Sequence, residues 1–501
     1  MISEVTILLK DSKRSKSLLF KQWLVQTFLI EKLNNKFGLV FFLLCVIALA
    51  FGIGVFGISF AIFSLIVLIA APVIVGLIIH PTFGILVYLT MSFTIMFFLR
   101  YGVPFPLGTL MDGMLALFIL GFFIQQKKKP DWQIFKSPVS LWIGIWIAYN
   151  VLEFGNPATE SRLAWVYTIR SMALVTMMYF IFLYNIRTKK VIRLIIKWWL
   201  VFMVFAALYA FKQEYFGFFD FEEKYNNSEG VPLLLFIAGH WRKYSVFSDP
   251  VTFAYNMAIV SLLCIGLLTG ILKTHKKIIL FLIIFILLVS MLFSGTRGAF
   301  PLVPAALILY AIMNFSKKIL AVTLVAGVFT AGLIVMPTSN QNILRFQSAF
   351  SPNKDASYTT RKINQARIKP YVWSHPMGGG LGSVGEWGKK FAPNSFLASF
   401  PPDSGYVRTT VELGWIGLII FCIMIFVIIK TGIDHYYKIQ DPELKSYCLA
   451  MVLMIFTWNI ANFPQEALVQ YPSNVLFYLT VALINVTYKL DQEQQKNLVY
   501  E

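Results

Sequence analysis

Runs of about 20 apolar residues, separated by short polar connections, recur along almost the whole chain, and that is the length an α-helix needs to cross a bilayer. They begin near Phe37, Gly57, Thr82, Pro104, Pro138, Ala164 and Val191, and again near Ser248, Ile278, Ala299, Ile319, Tyr406, Ser446 and Asn474. With 58% of its 501 residues hydrophobic and 13% charged, the chain holds more apolar surface than one soluble core of this size can bury. The expected fold class is an all-α polytopic membrane protein of about 14 transmembrane helices. Residues 37–79 are counted here as two spans, although one long hairpin also fits them.

Basic residues set the expected orientation. Residues 1–37 carry Lys10, Lys13, Arg14, Lys16, Lys21, Lys32 and Lys36 with no cleavage-like pattern after the first apolar run, so this end is expected in the cytoplasm. Within it, Ser17 to Leu33 reads as an amphipathic helix lying on the membrane surface. Alternate connections then bring Lys127 to Lys129 with Lys136, Arg187 to Arg193, Lys273 to Lys277, Lys317 with Lys318, and Lys430 to Lys445 to the same side. The other connections face outward, and the one from Gln213 to Tyr244 is acidic, with Glu214, Asp220, Glu222, Glu223 and Glu229.

The expected organisation is a cytoplasmic segment 1–37, eleven helices over 38–336, a long exoplasmic catalytic loop 337–406, three helices over 407–490 and a cytoplasmic tail 491–501. The loop runs against the charge trend. It carries Arg345, Lys354, Arg361, Lys362, Arg367, Lys369, Lys389 and Lys390 against Asp355, Glu386 and Asp403.

The formal charge of +19 is what a positive-inside membrane protein facing anionic lipids accumulates, so membrane lipids and not nucleic acid are the expected partners. Cys45, Cys264, Cys422 and Cys448 all lie in apolar runs without metal spacing, which assigns them to packing. No acidic cluster suited to magnesium stands out, and neither a metal nor a cofactor is expected. No fixed period or mirrored pair of broken helices is evident, which argues against many secondary transporter folds.

Exoplasmic cations go against the bias, so each has a raised chance of a specific partner. Arg170 near the outer end of the sixth span, Arg242 before the eighth, Arg297 in the turn Ser294-Gly295-Thr296-Arg297-Gly298 and Arg408 at the start of the twelfth all fall at one depth. A guanidinium presents forked donors that match phosphate oxygens, and its burial without an anion is costly. The alternatives are snorkelling to headgroups and local pairing, as of Arg408 with Glu412 one turn on.

Asp403 stands where the basic loop meets a span. It is either a base accepting a proton from a sugar hydroxyl, with Tyr406 beside it, or a cap of the following helix. His375 reads as a base or as a turn residue before proline. His240, next to Trp241 and Arg242, reads as a sugar or phosphate contact or as part of an interfacial belt. The run Met377-Gly378-Gly379-Gly380-Leu381-Gly382 permits a tight backbone but lacks the lysine and the strand-to-helix setting of a nucleotide phosphate loop.

Three stretches resemble the O-antigen ligase and O-antigen polymerase superfamily of bacterial surface-polysaccharide assembly. They are HWRKYSVFSDPVTFA from His240 to Ala254, SGTRG from Ser294 to Gly298, and HPMGGGLGSVG followed by PDSGYVRTTVELGWIGL at the end of the loop. Their order, spacing and long outer loop agree over roughly residues 160–490. The resemblance implies a fold like the GT-C membrane glycosyltransferases, in the bacterial inner membrane with its site on the exoplasmic face. It also implies an undecaprenyl-diphosphate-linked oligosaccharide donor and a glycan or lipid acceptor.

Arg242 and Arg297, with Arg170 and Arg361, would bind the donor diphosphate. Where the ligases carry a histidine before an asparagine, this chain has Asp403-Ser404. That departure favours a metal-independent polymerase, or a ligase-like enzyme using Asp403. A protein oligosaccharyltransferase and, more distantly, a lipid-linked oligosaccharide flippase are the alternatives.

Overall fold

The computed structural model describes residues 36–57, 80–101, 107–128, 130–237, 239–339 and 356–500, with isolated residues between them. The surface helix expected at Ser17 to Leu33, and Lys129, Arg345, Lys354 and Asp355, lie outside the described residues. The chain forms two compact units, Met1–Val75 and Gly76–Glu501. The first contains α1 (Lys36–Phe56), which ends at Gly57 with a positive φ of 70°, the left-handed conformation that closes a helix at low cost in glycine.

The second unit runs α2 (Pro81–Arg100), α3 (Leu107–Lys128), α4 (Pro138–Leu152), α5 (Arg162–Asn185), α6 (Lys189–Tyr215), α7 (Asp220–Asn226) and α8 (Val231–Leu235). A two-residue hairpin, β1 (Phe236–Ile237) and β2 (His240–Trp241), is followed by α9 (Pro250–Leu268), α10 (Thr274–Phe293), α11 (Leu302–Met313) and α12 (Lys317–Val335). In the long loop lie α13 (Ala356–Ser374) and α14 (Gly385–Phe391), and the chain closes with α15 (Gly405–Lys438), α16 (Pro442–Ala461) and α17 (Ser473–Tyr500).

Among the described residues eight helices, α2, α3, α5, α6, α9, α10, α15 and α16, are long and apolar enough to cross a membrane. The chain is an all-α polytopic membrane protein. Described helices begin within a few residues of the expected starts, except that the second run, from Gly57, lies mostly outside the described residues. The count of about 14 spans therefore rests on hydropathy alone.

Helices α9 and α16 sit at the centre and pack on one another, with α10, α11, α15 and α17 around them. Lipid tails are as apolar as leucine, so helices in a bilayer are held by close packing and polar contacts. Both occur here. A methyl group on Gly266 of α9 would lie 2.5 Å from Ala450 Cβ of α16, so the two backbones approach over small residues. Asn256 donates to Ser473 Oγ at 2.9 Å, Asn485 to Tyr179 Oη at 3.1 Å, and Thr176 to Tyr478 Oη at 2.8 Å. Helix starts carry their own signals. Asp249 and Asp441 each accept from two backbone N–H groups, and each precedes a proline at the first helical position.

The two ends of the bundle differ. At one, Lys189 pairs with Asp441 at 2.5 Å, Arg193 with Glu443 at 2.5 Å, and Lys489 with Asp131 at 2.9 Å, which joins several of the basic connections expected to share a side. At the other end meet the C-termini of α2, α6, α10 and α16 and the N-termini of α9 and α15.

Candidate functional site

The site is built on that second end. Arg242 follows the hairpin, its N–H bonded to the Leu235 carbonyl at 2.8 Å, and its guanidinium reaches the turn after α10. Nε donates to the Ser294 carbonyl at 2.8 Å and a terminal nitrogen to Thr296 Oγ1 at 3.0 Å. Thr296 Oγ1 in turn donates to the Pro250 carbonyl at 3.1 Å, so hairpin, turn and start of α9 are tied together. Gly295 supplies the positive φ of 58° that this turn requires, and Arg297 opens the short 3₁₀ helix after it, half-buried.

Gly298 explains the closeness of the packing here. A methyl group on it would lie 2.7 Å from the Tyr255 hydroxyl and 3.3 Å from Pro464. That hydroxyl is buried on α9 without a hydrogen-bond partner among the described residues, within electrostatic reach of Arg361, Asp249 and Arg242. Of the expected set Arg170, Arg242, Arg297 and Arg361, Arg242 and Arg361 thus lie within reach of Tyr255, and the turn that carries Arg297 packs on it through Gly298. Arg361, half-buried on α13, has no hydrogen bond or ion pair among the described residues.

The second part of the site is the start of α15. Gly405 N–H donates to the Asn462 carbonyl at 3.0 Å, and Tyr406 Oη to the Asn459 carbonyl at 3.2 Å. A methyl group on Gly405 would fall 2.0 Å from Asn462 Oδ1, so the approach demands glycine. Gly298 and Gly405 therefore rest on one turn after α16, around Asn462, Pro464 and Gln465, which places Asp403 and Tyr406 on the same support as the arginine-bearing turn. Asp403 is half-buried, and its carboxylate has no hydrogen bond or ion pair among the described residues. The alternative cap role is not seen: Ser404 holds the N-cap position, and no side chain caps the helix.

Other candidates are bound up in the protein. Arg170 begins a π-helical turn, Arg170–Leu174, and pairs with Asp112 of α3 at 2.7 Å. Arg408 pairs with Glu412 at 3.2 Å, the local pairing foreseen, and with Glu466 at 2.7 Å. His375 stacks on Tyr371 with ring centroids 4.0 Å apart, and its Nδ1 lies 3.0 Å from the Tyr371 carbonyl, the geometry of a residue ending a helix. His240 Nε2 lies 3.3 Å from a Glu214 carboxylate oxygen shared with Lys243 at 3.2 Å. Burial pushes the Lys243 ammonium pKa down, partly offset by Glu214.

The glycine run has a structural use. Gly379 and Gly380 N–H groups donate to the Val411 and Glu412 carbonyls, both at 2.9 Å, where α15 breaks at Gly414 with φ 68°. A methyl group on Gly414 would lie 1.8 Å from the Pro376 carbonyl oxygen, so the loop inserts into the break. On the run's other side, Asn156 Nδ2 donates to the Met377 carbonyl at 3.0 Å. The run anchors the loop to α15 and to the α4–α5 connection.

Sequence reasoning missed Tyr255, the Asn462 turn and Arg100. An aromatic in an apolar helix looks like packing. Arg100, the last residue of α2, lies 4.0 Å from the centroid of the Tyr244 ring and donates to the Phe247 carbonyl. The polar run Asn462-Phe463-Pro464-Gln465-Glu466 between two apolar helices was the available signal for the turn.

Chemically, the arrangement offers guanidinium donors for a phosphate-rich group and, on the same supporting turn after α16, a carboxylate. A family model described as O-Antigen ligase matches residues 282–422, a range that contains Arg297, Arg361, His375, Asp403, Tyr406 and Arg408 but not Arg170, His240 or Arg242. An O-antigen polymerase of Salmonella muenchen is 26% identical over 214 residues, 41% of this chain. The match spans about half of that relative, 51% of its length. The resemblance to the O-antigen ligase and polymerase superfamily, first read from the motifs, is borne out.

Proposed function

We propose, from this resemblance to the O-antigen ligase and polymerase superfamily, that the protein polymerises a surface polysaccharide from an undecaprenyl-diphosphate-linked donor at the outer face of the bacterial inner membrane. An acceptor sugar hydroxyl attacks the donor's anomeric carbon, and the bond from that carbon to the diphosphate oxygen breaks. The proton passes to Asp403, with Tyr406 beside it in the first turn of α15. Arg242, Arg297 and Arg361 hold the diphosphate and stabilise the negative charge that grows on it as it leaves. No metal takes part.

The single observation that carries the reading is the convergence of Arg242, the Arg297 turn and Arg361 around Tyr255, on the same Asn462 turn that supports Asp403. The polymerase of Salmonella muenchen favours polymerisation. The ligase description of the matching family keeps transfer to a lipid acceptor as the second reading. Purified protein supplied with lipid-linked repeat units in detergent decides between them. Longer glycans on the carrier lipid support the polymerase, transfer only to an added lipid acceptor supports the ligase, and no product at all rejects both in favour of a flippase.

A further inference from the structure

The end of the bundle away from Arg242 and Arg297 holds a cavity of about 1000 Å³ between α6, α10, the end of α9 and the start of α16. Its wall along the helices is apolar, formed by Leu200, Val201 and Val204 of α6 and Ile279, Leu280 and Ile283 of α10. Its polar groups are confined to one end, with Arg193, Lys197, Lys276, Asp441 and Glu443 at the rim. The rim acids are already matched. Asp441 takes Lys189 at 2.5 Å, and Glu443 takes Arg193 through two bonds of 2.5 and 2.6 Å and the Tyr447 hydroxyl at 2.6 Å. Lys197 and Lys276 are exposed, with no acidic partner among the described residues.

An apolar trough closed at one end by two uncompensated ammonium groups has the charge and shape pattern of a single amphiphile. We infer that this groove is a binding site for an anionic phospholipid of the surrounding bilayer. The phosphate lies between Lys197 and Lys276, and an acyl chain runs along Val201, Val204, Ile279 and Ile283. Basic pockets between transmembrane helices recognise acidic headgroups in this way. The wall of the groove is α10, whose far end carries the Ser294–Gly298 turn, so a lipid seated here packs against the helix that presents Arg297. The inference stands whatever the substrate of the arginine site.

The test is lipid retention by the full-length protein in detergent, read by native mass spectrometry with phosphatidylglycerol and phosphatidylcholine as probes. Phosphatidylglycerol is expected to be retained in preference. The doubly substituted Lys197→Gln/Lys276→Gln protein is expected to lose that preference by about twenty-five-fold, since each lysine near an anionic surface contributes about fivefold. Val204→Trp, which fills the apolar part without touching charge, is expected to reduce retention of both lipids. Both variants should keep the wild-type elution volume and melting temperature. Equal retention of the two lipids by the wild type overturns the proposal. So does an unchanged preference in the lysine variant.

Discussion

Arg408 and Arg361 sit at the same end of the bundle and carry the same charge, and their neighbours differ. Arg408 is enclosed, with its side chain 13% exposed, and meets two carboxylates, Glu412 and Glu466. Arg361 is half-buried beside Arg242 and Tyr255 and meets no carboxylate among the described residues. A guanidinium in a poorly screened environment needs an anion. Where the chain supplies it, as for Arg408 and for Arg170 with Asp112, the arginine holds helices together. Where the chain does not, as at Arg361, the donor diphosphate of the proposed function supplies the anion from outside.

The largest effect is expected at Arg297, in the turn that the Arg242 guanidinium braces. Arg297→Ala should lower product formation by at least about a hundredfold, the scale of removing one donor that stabilises developing charge, while expression and melting temperature stay near wild type. Arg297→Lys should recover little, because an ammonium lacks the planar fork. Wild-type product from the alanine variant would reduce Arg297 to a helix-turn residue.

Arg408→Ala should instead act on stability. It leaves Glu412, 1% exposed, facing a lost partner, at a cost of about 3–5 kcal/mol in unfolding free energy. Adding Glu412→Gln should return much of that loss, and thermal unfolding in detergent measures both. Arg361→Ala is the counterpart, with no change in unfolding and about tenfold weaker donor binding, the weight of one charge-assisted contact. An Arg361→Ala protein that melts early and binds normally would erase the distinction between the two arginines.

The smallest perturbation tests the orientation on which the comparison rests. Single cysteines at Lys317 and Lys389 leave the protein working. In intact cells an impermeant maleimide should label the second and spare the first, and the reverse pattern would put the arginine end in the cytoplasm.

The helices were legible because a bilayer imposes a length on every apolar run, and Asp249-Pro250 and Asp441-Pro442 mark starts that need only local chemistry. The pairing of Arg408 with Glu412 was legible for the same reason, at one helical turn. Its second partner, Glu466, is 58 residues away, as is Asp112 from Arg170, and no local pattern announces such contacts. The glycine run showed that backbone passes close to something. That the something is the break in α15 at Gly414 depends on how two distant segments dock. Tyr255 was invisible because its hydroxyl matters only once the turn at Gly298 has folded over it.

In the proposed mechanism donor binding and acceptor activation are divided between the arginines and Asp403. Asp403→Asn tests it most directly, because asparagine keeps the shape and removes only the proton acceptor. Glycan product should fall by about a hundredfold or more, while binding of the lipid-linked donor, measured on the same preparation, should match wild type. Near-normal product from the asparagine variant would contradict the claim and leave the hydroxyl to be activated by another group.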